Sequence, residues 1–213
     1  SLKKIENLLK SGADKVLINS YATHNPKFIN DASKIFGSQC ISVGVDAFFR
    51  DRLYEVWINY GRERTHLNFL DWIKKIQDLG AGEIILTSIN NDGTGKGFDE
   101  RLIELVFDNI KTPLVFGGGC GKIDQVVSLI KNFPELSGIS ISTALHYNYY
   151  KDVFDSKYYS EYKNRNVSFD IGNTEFIKNT SVYPKIVEGF SIKKLKKKLK
   201  KFNIYVRWKI KLL

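Results

Sequence analysis

The amino-acid sequence predicts an α/β protein built on a parallel sheet, and three observations lead there. Short apolar, β-branched runs alternate with helical periodicities from Lys15 to Ser142. The runs are separated by enough chain for crossover helices, which parallel strands require because a hairpin cannot join them. Glycine-rich turns fall at the C-terminal ends of two runs, where parallel α/β proteins keep their chemistry. An open doubly wound sheet and a (β/α)8 TIM barrel both fit this alternation. The barrel accounts better for a chain that opens in a helix with no strand before it. The strands then read as belonging to the last five βα units of eight, with three strands expected ahead of Ser1. A sequence without methionine agrees with that expectation.

The elements follow in order. Leu2–Ser11 reads as a helix, with Leu2, Ile5, Leu8 and Leu9 apolar and Gly12 ending it. Lys15–Asn19 (KVLIN) is a strand, and Pro26 opens a helix through Phe36, where a proline in the first turn loses no hydrogen bond. Ile41–Asp46 (ISVGVD) is the second strand. Leu53–Asn59 alternates and then turns at Tyr60-Gly61, so residues 51–67 form a β-hairpin excursion. Helix Asn68–Leu79, strand Glu83–Thr87, helix Asp99–Asn109 and strand Pro113–Phe116 continue the rhythm. Helix Lys122–Asn132 and strand Gly138–Ser142 complete it. From Tyr147 to Phe190 the periodicity lapses into a Tyr-, Asn- and Lys-rich stretch, an insertion before the last helix within a single domain.

Composition narrows the class. The two cysteines, Cys40 and Cys120, have neither disulfide-framework nor zinc spacing and predict reduced thiols in a cytoplasmic protein. No run of about 18 apolar residues predicts a membrane span. The formal charge of +10 fits a nucleic-acid partner, a phosphate-bearing substrate or a lysine-rich composition. Much of the excess lies in Lys193–Lys201, where Ile192, Leu195, Leu199 and Phe202 keep a helical spacing and seven lysines fill the other face. That pattern predicts an amphipathic helix docked on the core rather than a nucleic-acid site.

Candidate chemistry sits at the strand ends: Asn19-Ser20, Asp46, Thr87 through Thr94, Gly117–Gly121 and Ser142-Thr143. Glycines let backbone N–H groups approach an anion, and a helix beginning just beyond adds its positive end. The Asp92-Gly93 and Gly118-Gly119 turns, with Ser142-Thr143 beside them, therefore predict a phosphate site. Asp46 closes an apolar strand. It reads either as a general acid or base or as a structural loop cap. His24, His66 and His146 lack the spacing of a metal pair, and Cys120 reads as a small filler without a neighbouring base. No metal or cofactor is predicted.

These same residues carry a family resemblance. GADKVLINS (12–20), FGSQCISVGVDA (36–47), LGAGEIILTSINNDGTGKGFD (79–99), PLVFGGGCGKIDQ (113–125), ALHY (144–147) and the closing FNIYVR resemble, in order and spacing, the cyclase subunit of imidazole glycerol phosphate synthase. The resemblance covers about residues 1–147 and 190–207. It implies a barrel lyase that takes ammonia from a glutaminase partner. The substrate implied is a bis-phosphorylated ribulosyl formimino carboxamide ribonucleotide, converted to imidazole glycerol phosphate and an aminoimidazole carboxamide ribonucleotide. Asp46 falls on one of the family's two catalytic aspartates. The other has no counterpart in the matched region, so the 213 residues alone are expected to be inactive. Asn19 and Ser20 fall on one phosphate site. Asp92, Gly93, Gly119, Ser142 and Thr143 fall on the other. Asp14, Lys15 and Glu83 match the glutaminase interface and ammonia entrance, and Gln39 matches a channel or packing position.

Four positions depart from the family pattern. Phe48 replaces a basic residue, Asn90-Asn91 replaces an acidic–basic pair, and Gly117 stands where serine is usual. With the insertion, these leave open a paralogue that delivers ammonia to a nucleotide-linked sugar in surface-polysaccharide synthesis. A basic nucleic-acid-binding module using Lys193–Lys201 and the tyrosines of 147–190 is the third reading.

Overall fold

A computed structural model describes residues 1–154 and 187–206. Its elements are α1 (Leu2–Lys10), β1 (Val16–Ile18), α2 (Ser20–His24), α3 (Lys27–Phe36), β2 (Ile41–Arg50), β3 (Leu53–Ile58), β4 (Glu63–Asn68), α4 (Phe69–Asp78) and β5 (Glu83–Ser88). Then come α5 (Glu100–Phe107), β6 (Leu114–Gly117), α6 (Ile123–Asn132), β7 (Gly138–Ser140), α7 (Thr143–Phe154) and, nearer the C-terminus, α8 (Ile192–Lys201).

The described strands form one seven-stranded sheet. β1, β2, β5, β6 and β7 lie side by side in that order, all parallel. A doubly wound sheet reverses its strand order at a switch point. Here every new parallel strand adds on the same side, which is the order of a barrel wall. The predicted hairpin is present and longer than expected. β2 runs on past Asp46 to Arg50, and its C-terminal half pairs antiparallel with β3, which pairs antiparallel with β4. β2 therefore has two successive neighbours on one edge, β1 below and β3 above.

Alternation along the strands sorts the residues into two faces. Val43, Val45 and Ala47 of β2, Ile84 and Leu86 of β5, and Leu114 and Phe116 of β6 are buried. They share one core cluster with Ile29 and Ala32 of α3, Trp72, Ile73 and Ile76 of α4, Leu102, Ile103 and Val106 of α5, and Leu129 of α6. Removing that many aliphatic groups from water, at about 25 cal/mol per Å², is the main stabilising contribution. The helix boundaries have local causes. Asn68 caps α4 by accepting from the amides of Leu70 and Asp71. Gln125 accepts from the amides of Gly121 and Lys122 and so fixes the entry to α6.

Three expectations need correction. The last predicted strand ends at Ser140, and Thr143 starts α7, which runs into the stretch read as lacking periodicity. Residues 155–186 of that insertion, and 207–213, lie outside the described residues. A five-residue helix, α2, follows β1 where none was predicted, because five residues are too few to show a period. The apolar stripe of α8 is only partly buried: Leu199 is 3% exposed, but Ile192 and Phe202 are 54% and 41% exposed. The Phe202 ring instead lies under the ammonium groups of Lys131 and Lys198, at 4.3 and 5.6 Å. No helix among the described residues is long and apolar enough to cross a membrane.

Candidate active site

Strand register assembles the rim. Asp46 pairs with Thr87, Thr87 with Gly117 and Gly117 with Ser140. With neighbouring strands about 4.8 Å apart, these residues form one row across the C-terminal ends of four parallel strands, facing away from the helix-packed core. Asn19, one residue beyond β1, lies beside this row: its side chain sits against Gly44, where an added Cβ would come within 3.2 Å of it.

Asp46 is 8% exposed. Its carboxylate accepts a 3.3 Å bond from Asn19 Nδ2. Burial pushes the Asp46 carboxyl above the ordinary carboxylate range, and the negative charge of Asp92 pushes it further. The Asn19 bond pulls it back in part. Among the described residues this long bond is the carboxylate's one hydrogen bond, so burial is only partly offset.

Next to Asp46 is a cavity of about 160 Å³ lined by Thr87, Asp92, Gly117, Gly118, Gly119, Cys120, Ser140, Ser142 and Thr143. Thr87, Asp92, Gly118, Gly119, Ser142 and Thr143 were all expected from the sequence. Ser140 was missed, although its polar side chain inside a short strand was the available signal. Gly93, at φ 73°, forms the turn next to Asp92, with open space where a Cβ would go. The glycines do more than admit an anion. At Gly119 (φ 99°) a Cβ would stand 2.0 Å from the Gly97 carbonyl oxygen, and the Gly97 amide donates to the Gly119 carbonyl at 2.8 Å. The 90–97 and 117–121 loops thus pack backbone against backbone. Cys120 is buried, and burial pushes its thiol up to about 11, which leaves it protonated and inert at neutral pH.

The departures from the family pattern have structural roles. Asn90 grips the Phe49 backbone through both ends of its amide, accepting at 2.6 Å and donating at 3.3 Å. Asn91 donates to the Gly97 carbonyl at 2.9 Å. The hairpin is anchored from behind by Tyr54, whose hydroxyl donates to the buried Asp99 at 2.9 Å, while Ser88 donates to the same oxygen at 3.3 Å. Burial, then the Asp99 bond, raises the Tyr54 hydroxyl well above its usual range. Its tip reaches back to Ser20, whose Oγ accepts from the Asn59 amide at 3.0 Å. Ser20 is therefore engaged by the hairpin and opens the short α2. Trp57 pairs with Asp46 and packs against Phe48 in a tilted contact, with ring centroids 4.6 Å apart. Its indole N–H is buried and has no acceptor among the described residues, an omission worth about 1–3 kcal/mol.

At the opposite, N-terminal ends of the strands, Lys15 pairs with Glu83 at 2.5 Å, and Ser42 donates to the other Glu83 oxygen at 2.9 Å. Asp14 is exposed in the turn before β1. Gln39, also exposed, lies in the α3–β2 connection with its side chain folded over Gly37.

Parallel strands in barrel order, with a desolvated carboxylate and a polar cavity at their C-terminal ends, define a barrel-type α/β protein with an enzyme-like rim. The family of histidine biosynthesis proteins matches residues 1–151, and the chain belongs to that family. It is 43% identical over 132 residues to the imidazole glycerol phosphate synthase subunit HisF of Bacillus cereus (strain G9842), covering 62% of this chain and 52% of that protein. It is 40% identical over 149 residues to the HisF subunit of Prochlorococcus marinus (strain MIT 9515), covering 68% of this chain and 58% of that protein. The corresponding subunit of Hydrogenobaculum sp. (strain Y04AAS1) is 40% identical over 148 residues, 69% of this chain and 58% of that protein. The chain spans about half the length of the curated relatives it matches.

Proposed function

We infer that this chain supplies the acid–base and phosphate-binding half of a cyclase that uses ammonia from a glutaminase subunit. It closes the imidazole ring of imidazole glycerol phosphate and releases an aminoimidazole carboxamide ribonucleotide. The observation that carries this reading is the desolvated Asp46 carboxyl in the same strand row as the cavity floor. Asp46 holds a proton more tightly than a free carboxylate, so it can exchange one with the substrate during ring closure. The Gly118-Gly119 and Asp92-Gly93 turns, with Ser142, Thr143 and Thr87, bind one phosphate. Asn19 and Ser20 bind the other. Lys15, Glu83 and Asp14 at the far rim form the ammonia entrance and the docking surface for the glutaminase. No cofactor or metal takes part, and no nucleic acid.

A second reading, ammonia delivery to a nucleotide-linked sugar, is favoured by Phe48 in place of a basic residue and by Asn90 as a backbone clamp. Turnover of the ribulosyl substrate with ammonium by the full-length protein decides between them. Turnover lost in Asp46→Asn supports the cyclase. A folded protein that binds phosphates yet leaves this substrate untouched, while aminating a nucleotide sugar, supports the second reading.

A further inference from the structure

The strand row that holds Asp46 does not stop there. On its other edge Asp46 pairs with Trp57 of β3, so the indole belongs to the same face as the carboxylate. Phe48, two residues along β2, shares that face, and the two rings are in contact, with centroids 4.6 Å apart and planes tilted by 36°. Both are half-buried rather than sunk in the core. Two large rings side by side at a polar rim, one strand from a buried acid, are not needed to fill the core cluster, and neither belongs to it. The Glu55–Arg64 pair closes the outer side of this patch, with Arg64 opposite Trp57 and Glu55 opposite Phe48.

We propose that the Phe48–Trp57 pair is a stacking wall for the heteroaromatic ring of a nucleotide whose phosphate occupies the Gly117–Gly119 cavity. This rests on the phosphate reading above and adds a specificity-determining surface to it. The geometry fits: from Gly117 through Thr87 and Asp46 to Trp57 is three strand spacings, on the order of 15 Å, with Asp46 between the two ends. A nucleotide lying along the row presents its sugar to the carboxylate. The Trp57 N–H is already shielded from solvent without an acceptor among the described residues, so a small ring rotation toward an acceptor on the ligand gains a hydrogen bond without desolvating the donor.

The test is binding to the full-length protein, followed by Trp57 fluorescence with Trp57→Phe as the background and by calorimetry. Probes are aminoimidazole carboxamide ribonucleotide, uridine monophosphate and ribose 5-phosphate, which lacks a base. Stacking predicts that a base-bearing ligand binds about tenfold tighter than ribose 5-phosphate and quenches Trp57. Trp57→Ala and the milder Phe48→Ala should each erase most of that advantage and leave ribose 5-phosphate binding unchanged. The preferred base tells the imidazole source from the uracil source. Equal affinity with and without a base overturns the wall and leaves the phosphate site standing. Failure of all three ligands to bind removes both.

Discussion

The two ends of the parallel strands solve opposite electrostatic problems. At the N-terminal rim, Glu83 is balanced: one oxygen meets the Lys15 ammonium and the other the Ser42 hydroxyl. At the C-terminal rim, a few residues up the same strands, Asp46 is buried with, among the described residues, one long amide bond, and Asp92 adds a like charge. Both carboxylates grow from one sheet, so the difference lies in their partners and not in the scaffold. A satisfied pair holds a surface together. A poorly satisfied acid has its proton affinity raised by its surroundings.

The largest expected effect breaks the comparison at its reactive end. In the full-length protein Asp46→Asn should reduce turnover by about 10²–10⁴-fold, the contribution of a positioned acid or base. It should also stabilise the fold. Because the folded-state carboxyl is raised, its stabilising contribution is complete below the unfolded value and disappears as pH rises through the folded one, so at neutral pH the native protein bears the cost of a buried charge. The melting point of Asp46→Asn relative to the parent should therefore climb from pH 4 to pH 7, ending about 2–4 °C higher if the cost is about 1 kcal/mol. A lower melting point at pH 7 would mean that Asp46 is as well satisfied as Glu83.

Next in size is Gly119→Ala. A left-handed φ and a Cβ driven into the Gly97 carbonyl should cost about 3 kcal/mol, read as a melting point roughly 6–12 °C lower, with phosphate affinity lost. At the balanced rim, effects should be small. Ser42→Ala removes a buried donor from Glu83 and should cost about 1 kcal/mol by urea unfolding. Lys15→Met breaks an ion pair whose lysine side chain is 45% exposed, and should cost under about 1 kcal/mol, less still in high salt. If Lys15→Met were as damaging as Gly119→Ala, the two rims would not differ as described.

Much of this arrangement was legible in the sequence because its signals are local. The β-branched runs, the proline before α3 and the glycine loops each announce themselves within a few residues. What escaped is the pairing of distant positions. The LYEVWIN alternation predicts a strand, but nothing in it says that β2 continues to Arg50 to meet it, or that Trp57 falls beside Asp46. Tyr54 and Asp99 are 45 positions apart, and their hydrogen bond exists only because β3 folds back over the β5 loop. Asn19 and Asp46 are 27 positions apart, and no local signal reveals the hydrogen bond between them. The glycine run at Gly119 signals close backbone approach to an anion, but not that the 90–97 loop fills the Cβ side of it.

Asp46, Thr87, Gly117 and Ser140 stand at one height on four separate strands, and no short segment of chain contains more than one of them. A slip of one position in β2 would turn Asp46 toward the helices and bring Val45 or Ala47 to the rim in its place. Strand alignment thus decides whether the proposed site is assembled at all. Heat inactivation should coincide with cooperative melting of the sheet, with no silent, still-folded form preceding it.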